Sequence, residues 1–241
     1  MNIKAALKYR LYDSKKPILI YYLAIAGLLL LLFTSFMSIK ISSGRVNGME
    51  MASAIFLFVF GMNSFKESFR LFMQNGVSRK TVFVSQLLSA LIICATMSLI
   101  DNIISFLNKI IFTSDRFSYT GLIEQIYGKQ GSGISMAILS FVFCFSLNLA
   151  FLSLGFLITT LYYRMNKGQK IAVSIGVPAL LYVILPVLDT ILFKKALSDA
   201  FGKLFSFAFG SPFASILSCI ILSAVFYCFC WPLIKKAVVR D

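Results

Sequence analysis

Long apolar stretches alternate with short polar segments along the whole chain. Six of them carry no charge apart from Glu50 and Asp189, at about residues 17–39, 49–65, 81–100, 134–161, 171–193 and 212–234. About 20 apolar residues are enough for a helix to cross the roughly 30 Å hydrocarbon core of a bilayer. The pattern therefore predicts an all-α, polytopic membrane protein with six transmembrane helices in one domain, residues 1–241.

A further helix is predicted before the first span. Ile3, Leu7 and Leu11 recur at four-residue spacing within residues 1–16, and basic side chains occupy the other faces. This periodicity is typical of an amphipathic helix that lies in the headgroup plane of a membrane. A frayed basic tail, which only sets the orientation of the first span, is the alternative interpretation.

The polar segment between the second and third spans also has helical periodicity. Phe65, Phe69 and Phe72 form an apolar stripe at positions i, i+4 and i+7. The helix of the second span is therefore predicted to run from Met49 to about Asn75. At 1.5 Å per residue such a helix is roughly 40 Å long, so it has to project from the membrane or bend along its surface.

Two residues predict a fixed corner where this helix ends. Gly76 suits the left-handed conformation that terminates a helix, and the Ser78 side chain can cap the helix of the third span. Residues 65–80 are thus predicted to form a helix, a fixed corner and the start of a new helix. The alternative is that their cations only set topology and that Phe69 and Phe72 dip into lipid.

Composition and charge support a membrane location and give it an orientation. Hydrophobic residues make up 59% of the chain and charged residues 13%, against about 45 to 50% and about 25% in soluble domains. Most of the 23 lysines and arginines fall in residues 4–16, 66–80, 164–170 and 235–240. This bias predicts a multi-pass protein of the plasma membrane with both termini cytoplasmic. Nucleic acid binding is disfavoured, because the basic residues form no single stripe with interleaved aromatics.

The residues that common enzymatic chemistry requires are missing. The chain has no histidine, which removes imidazole bases and histidine-ligated zinc. Residues 127–133, YGKQGSG, lack the glycine and lysine spacing of a phosphate loop. No catalytic, metal-binding or cofactor-binding residue is predicted. Asp101 and Asp189 lie at span ends, where we expect them to reach water or a neighbouring lysine, whereas a proton-driven carrier needs an acid near the membrane midplane.

The segment FKESFRLFMQNGVSRKTVFVSQ, with the predicted spans and the N-terminal helix, resembles the permease subunits of ABC type 2 exporters. The small bacterial permeases of drug and peptide efflux are the most similar group, and the similarity is sharpest from Gln74 to Phe83. It implies a permease that catalyses no covalent chemistry and binds no cofactor, because ATP and Mg would be held by a separate ATPase subunit. A second permease chain, identical or related, would complete an exporter of hydrophobic or amphipathic peptides, drugs or lipid-like molecules.

The resemblance also implies roles for particular segments. Residues 1–16 would be the interfacial helix. Residues 194–211 would dip back into the membrane, and an amphipathic connector on the outer surface is the alternative for them. Residues 65–80 would be the coupling region that docks on the ATPase subunit, with contacts from Glu67, Phe69, Arg70, Phe72, Gln74, Asn75, Gly76, Ser78 and Arg79. The translocation path would be lined in part by the fifth span, which carries possible kinks at Gly176, Pro178 and Pro186. A secondary carrier and a non-transporting scaffold or immunity protein are the alternatives.

Overall fold

The computed structural model describes residues 3–38, 44–111, 117–128, 133–191 and 195–237. Within these ranges the chain forms helices α1 (Ile3–Ser38), α2 (Glu50–Asn63), α3 (Lys66–Gln74), α4 (Arg79–Ile111), α5 (Leu122–Tyr127), α6 (Ile134–Arg164), α7 (Lys167–Ala179), α8 (Leu185–Ile191), α9 (Ala196–Phe209) and α10 (Pro212–Lys235). A π-helical segment, Leu180–Ile184, joins α7 to α8. Two short strands, β1 (Gly44–Asn47) and β2 (Phe117–Thr120), pair in parallel.

Four helices among the described residues are long and apolar enough to cross a membrane. They are Ile3–Leu31, Arg79–Lys109, Ile134–Arg164 and Pro212–Lys235, and they coincide with the first, third, fourth and sixth predicted spans. The prediction of a predominantly helical membrane protein is therefore confirmed. The regions of the second and fifth predicted spans have a different form.

The predicted second span is a short helix followed by a break. Helix α2 has 14 residues, which gives roughly 21 Å at 1.5 Å per residue and falls short of the hydrocarbon core. The helix predicted to continue from Met49 to Asn75 is interrupted at Ser64 and Phe65. Both the hydroxyl and the backbone N–H of Ser64 donate to the carbonyl of Gly61, at 2.9 Å and 3.4 Å. These local bonds close α2, so the chain bends and α3 starts anew.

The predicted fifth span is helical throughout its described part, but it is not a regular α-helix. The π-helical segment ends two residues before Pro186, a residue that has no N–H to donate and whose ring clashes with the carbonyl four residues earlier. Pro178 lies inside α7 without ending it. No residue of α7 is buried, and α8 contacts α9, which in turn packs on α10. This region therefore lies against the rest of the bundle mainly through α9.

The predicted interfacial helix, residues 1–16, is not a separate element. Helix α1 runs from Ile3 to Ser38 through Pro17 without a break. Ala6, Arg10 and Ser14 form its buried stripe, whereas Ile3 of the predicted apolar stripe is 40% exposed. Because the first part of α1 packs against the protein, the helix continues through Pro17. The prediction of two separate helices, one before and one after this residue, is wrong.

Contacts between helices define two ends of the bundle. Helices α1 and α4 run in the same direction, because Arg10 contacts Gln86 and Tyr22 contacts Asp101 further along both helices. The N-terminal part of α1, helix α3 and the start of α4 therefore lie together, at what we call the corner end. Arg79 donates there to the carbonyl of Lys235, so α10 finishes at the same end. The paired strands lie at the opposite end.

A buried polar network joins α1, α2, α4 and β2 near the strands. Asp101 accepts a hydrogen bond from the Tyr22 hydroxyl at 2.9 Å, and Glu50 accepts one from the Tyr119 hydroxyl at 3.3 Å. Asp101 and Asp189 are both only 6% exposed, so of the two expected environments, water and a neighbouring lysine, water is wrong. Position near the end of an apolar stretch does not reveal that a neighbouring element covers the side chain.

Helices α2 and α6 approach each other through two glycines. A Cβ placed on Gly61 would come within 3.0 Å of the carbonyl oxygen of Leu152. A Cβ placed on Gly155 would come equally close to the carbonyl oxygen of Phe58. Small residues at such crossings let two backbones pack closely, which is a common source of helix association in membranes. The contact between α2 and α6 thus depends on the absence of side chains at both positions.

This contact gives the first prediction. Gly155→Ala should destabilise the protein by about 1–3 kcal/mol, because the added methyl group overpacks against the backbone of α2. Gly27→Ala is the matched control in α1, where a Cβ meets nothing within 4 Å. That change should be neutral or stabilising by up to about 1 kcal/mol. Thermal unfolding in detergent measures both, and equal unfolding temperatures for the two variants would contradict the close approach.

Candidate functional site

Helix α3 separates apolar from polar side chains along its whole length. Phe65 precedes its first turn, and Phe69 and Phe72 follow on the same face. Lys66, Glu67, Arg70 and Gln74 occupy the other face, and all four are exposed. A helix of nine residues is too short to be stable by itself in water. Its stability therefore has to come from what its apolar face contacts.

The apolar face of α3 packs on the end of α6. The ring of Phe65 lies edge-on to Phe156 and Tyr163, with centroids 5.7 Å and 5.2 Å apart. Phe69 makes the same kind of contact with Tyr163 at 5.6 Å. Edge-to-face aromatic pairs of this kind stabilise packing beyond the area they bury. Phe69 and Phe72 are both 0% exposed, so the alternative that they dip into lipid is wrong.

Phe72 carries the contact to α1 and, through it, to α4. Its ring lies edge-on to Tyr9 with centroids 5.7 Å apart, and the guanidinium of Arg10 sits 5.0 Å from the ring centroid. Arg10 Nε also donates to the Ser85 hydroxyl at 3.3 Å, and Nη1 donates to Gln86 Oε1. One buried arginine therefore joins α1, α3 and α4.

The turn after α3 has the geometry predicted for it. Gly76 adopts a positive φ of 66°, the left-handed conformation that a side chain disfavours. The N–H of Val77 donates to the carbonyl of Phe72 at 2.9 Å, and the N–H of Gly76 donates to Met73 at 3.1 Å. This pair of bonds is a Schellman motif, and the burial of Val77 beside Phe72 supplies its usual apolar contact.

The start of α4 is capped as predicted and is fastened to α10. The Ser78 hydroxyl accepts a hydrogen bond from the N–H of Thr81 at 3.2 Å, which satisfies one of the free donors of the first turn. Arg79 donates to the carbonyl of Lys235 at the end of α10. The segment from Phe65 to Lys80, called the corner below, is thus held by α1, α4, α6 and α10.

The predicted contact residues of the corner divide into two groups. Phe69 and Phe72 are enclosed in the core of this chain, where they position the helix. The other seven are exposed on one polar surface: Glu67, Arg70, Gln74, Asn75, Gly76, Ser78 and Arg79. A rigid surface that carries both signs of charge and several hydrogen-bonding groups is suited to docking another protein. Bond-making chemistry would need an activated nucleophile or base, which these side chains do not provide.

The other predicted site residues lie apart from the corner. Gly176, Pro178 and Pro186 are exposed on α7 and α8, and a Cβ on Gly176 would meet nothing within 4 Å. The structure therefore places the residues predicted for the coupling region together and leaves Gly176, Pro178 and Pro186 outside that group.

Two residues of the site were missed in the sequence. The sequence presents Arg10 only as one of the basic residues that set topology, and Tyr163 lies just beyond the fourth predicted span, 134–161. The spacing of Ala6, Arg10 and Ser14 at i, i+4 and i+8 is a signal for Arg10, because small residues in that register favour a buried helix face. Nothing local in the sequence marks Tyr163, whose role depends on contacts with α3.

Comparison with known proteins does not assign a function to the corner. No protein-family model, curated protein or solved structure matches the chain. The functional interpretation consequently depends on the corner itself and on the resemblance in its sequence.

The packing of α3 gives the second prediction. Phe72→Ala removes a fully buried ring and should cost about 3–5 kcal/mol of unfolding free energy. Gln74→Ala, two residues further on the exposed face, should stay within about 0.5 kcal/mol of the wild type. Thermal unfolding in detergent measures the stability of each variant, and limited trypsin cleavage after Arg70 measures how readily α3 opens. Equal stability and equal cleavage of the two variants would show that Phe72 is not packed as described.

Proposed function

We propose that this protein is the membrane-spanning permease subunit of an ATP-driven ABC exporter. The observation that carries the proposal is the corner: a short helix anchored in the core by one face while its other face presents a polar surface at one end of the bundle. An ATPase subunit, a separate chain, docks on that surface through the seven exposed residues. The permease itself hydrolyses nothing, and ATP and Mg are bound by the ATPase subunit.

The anchoring of α3 supports a mechanical role. Phe65 and Phe69 contact α6, Phe72 contacts α1 through Arg10, and the turn at Gly76 leads directly into α4. When nucleotide binding moves the ATPase subunits, a displacement of α3 is passed to all three helices, because none of these contacts runs through a flexible linker. The helices then rock and open a path for a hydrophobic or amphipathic peptide, drug or lipid-like substrate.

The arrangement of the ends supports the proposed topology. The first part of α1, the corner and the end of α10 share one end of the bundle, and they carry most of the lysines and arginines among the described residues. The positive-inside rule assigns such an end to the cytoplasm. The proposed six spans are α1, the short α2, α4, α6, the interrupted α7–α8 and α10, in the plasma membrane with both termini cytoplasmic.

The exposed apolar helices support a second permease chain. Leu19, Leu23 and Leu30 of α1 are more than half exposed, and so are Ile171 and Tyr182 of the α7–α8 region. Such surfaces face either lipid or another subunit. An identical or related permease packed against α1 and α7–α8 would give Gly176, Pro178 and Pro186 a place beside the path. Helix α9, which lies within the predicted segment 194–211, then dips into the membrane.

One observation favours a different function. Asp101 is buried with its Oδ2 atom lacking a hydrogen-bond partner among the described residues, and a buried acid within a span is a feature of proton-coupled carriers. A secondary carrier is therefore the second candidate. A scaffold or immunity protein has no specific feature of the structure in its favour.

The docking surface gives the third prediction. The protein, purified from its native membrane in mild detergent, should carry a nucleotide-binding ATPase subunit in equal amount. Gln74→Trp should release that subunit while leaving the unfolding temperature unchanged, because the added ring blocks the exposed face of α3 without entering the core. Lys170→Trp, also exposed but in α7, is the matched control and should keep the subunit. A preparation without any ATPase, or one from which Gln74→Trp releases nothing, would count against the exporter and favour the carrier.

A further inference from the structure

A cavity of about 340 Å³ lies beside the corner, between α1, α2, α3 and α4. This volume falls within the range of about 300–1,000 Å³ that is typical of ligand pockets. One wall is polar and includes Arg10, Ser68, Gln86 and Ser89. The other wall is apolar and is formed chiefly by α2. A cavity with two chemically different walls fits an amphiphile better than a purely polar or purely apolar molecule.

Arg10 is the unusual member of the polar wall. Its side chain is only 6% exposed, yet its partners are the neutral Ser85, Gln86 and Phe72. Its Nη2 atom has no hydrogen-bond partner, and the described residues place no carboxylate within salt-bridge distance of the guanidinium. The carboxylate of Asp13 attracts the guanidinium without bonding to it, and a buried charge whose donors are not all hydrogen-bonded is costly. An anion in the cavity would offset that cost, and a phosphate group is a good match because it accepts several N–H bonds from a guanidinium.

The rim of the cavity carries the opposite charge. Asp13 of α1 and Glu67 of α3 both line it, and both are exposed. Two carboxylates beside an anion-binding arginine disfavour a ligand that is anionic throughout. They favour a ligand whose phosphate is followed by an ammonium group, since the ammonium can bind between the two acids while the phosphate reaches Arg10.

The apolar wall is partly exposed on the surface of the bundle. Phe56 and Phe60 of α2 are half-buried, and Val59 between them is 44% exposed. An acyl chain can therefore lie along α2 from the cavity into the bilayer. The cavity thus has a place for a phosphate, a place for an ammonium group and a path for a hydrocarbon chain.

We propose that this cavity binds an aminophospholipid, with the phosphate at Arg10, the ammonium between Asp13 and Glu67, and an acyl chain along Phe56, Val59 and Phe60. The bound headgroup sits against Ser64 and Ser68, where α2 breaks and α3 begins. The lipid therefore supports the corner at the point where the chain passes from α2 to α3. This inference does not depend on an ATPase subunit and goes beyond the proposed function.

The test compares ligands on the purified full-length protein in nonionic detergent. Phosphatidylethanolamine, phosphatidylglycerol with the same acyl chains, and inorganic phosphate are titrated while thermal unfolding and native mass spectrometry follow binding. Phosphatidylethanolamine should raise the unfolding temperature and bind at least about tenfold more tightly than phosphatidylglycerol, a difference of about 1.4 kcal/mol. Equal binding of the two lipids would overturn the ammonium site. A rise with inorganic phosphate as large as that with phosphatidylethanolamine would make free phosphate the ligand, and no rise with any of them would overturn the whole proposal.

Variants assign the binding to the cavity. Arg10→Gln should abolish the stabilisation by phosphatidylethanolamine, whereas Lys8→Gln, an exposed position of α1, should retain it. Because Arg10→Gln can also fail to fold, the double change Asp13→Asn with Glu67→Gln provides a second test at exposed positions. It should bring the preference for phosphatidylethanolamine over phosphatidylglycerol to about one, and Asp199→Asn, an exposed acid of α9, should leave the preference intact. A preference that survives the double change would overturn the proposed recognition, whatever the outcome of the ATPase experiment.

Discussion

The burial of three phenylalanines from one short helix is the interaction on which the account of this protein depends. Helix α3 is too short to be stable alone, and the ring of each phenylalanine contributes roughly 1.5–3 kcal/mol when it is fully buried. Phe65 and Phe69 pack on the end of α6, and Phe72 packs between Tyr9 and Arg10 of α1. Without these contacts the segment between α2 and α4 would be a loop. With them, it is a helix whose polar face has a fixed direction.

The same burial explains why the corner joins so many elements. The break at Ser64 turns the chain out of α2, and the Schellman turn at Gly76 directs it into α4. Arg10 and Arg79 then tie the corner to α1, α4 and α10 through hydrogen bonds. The close glycine crossing between α2 and α6 sets the distance at which the phenylalanines of α3 reach Tyr163. A displacement of α3 caused by docking on its polar face would therefore be transmitted to most helices of the bundle.

Much of this arrangement could be predicted from the sequence, where the determining interactions are local. The long apolar stretches identify α1, α4, α6 and α10, the glycine before Val77 predicts the left-handed turn, and Ser78 predicts the cap. The phenylalanine stripe predicts that one face of α3 is buried. It does not say what buries that face, because the partners Tyr9 and Tyr163 lie far away in sequence.

Two kinds of feature could not be predicted. One arises where side-chain hydrogen bonds compete with the continuation of a helix, and the other where the contacting residues are far apart in sequence. Periodicity continues through Ser64, and only its hydrogen bonds to Gly61 show that α2 ends there. Charged residues up to Lys16 separate the N-terminal segment from the first predicted span, although packing of Ala6 and Arg10 keeps the helix continuous. The pairing of β1 with β2 joins residues about 70 positions apart, beyond the reach of any local pattern.

Hydrogen exchange of the full-length protein in lipid nanodiscs tests the central claim most directly. If the phenylalanine face anchors α3, the amides of residues 69–77 exchange as slowly as those in the middle of α6, because opening the helix requires three buried rings to leave the core. If those amides exchange at the rate of an unstructured loop while α6 remains protected, the corner is not rigid, and neither force transmission nor a fixed docking surface can be assigned to it.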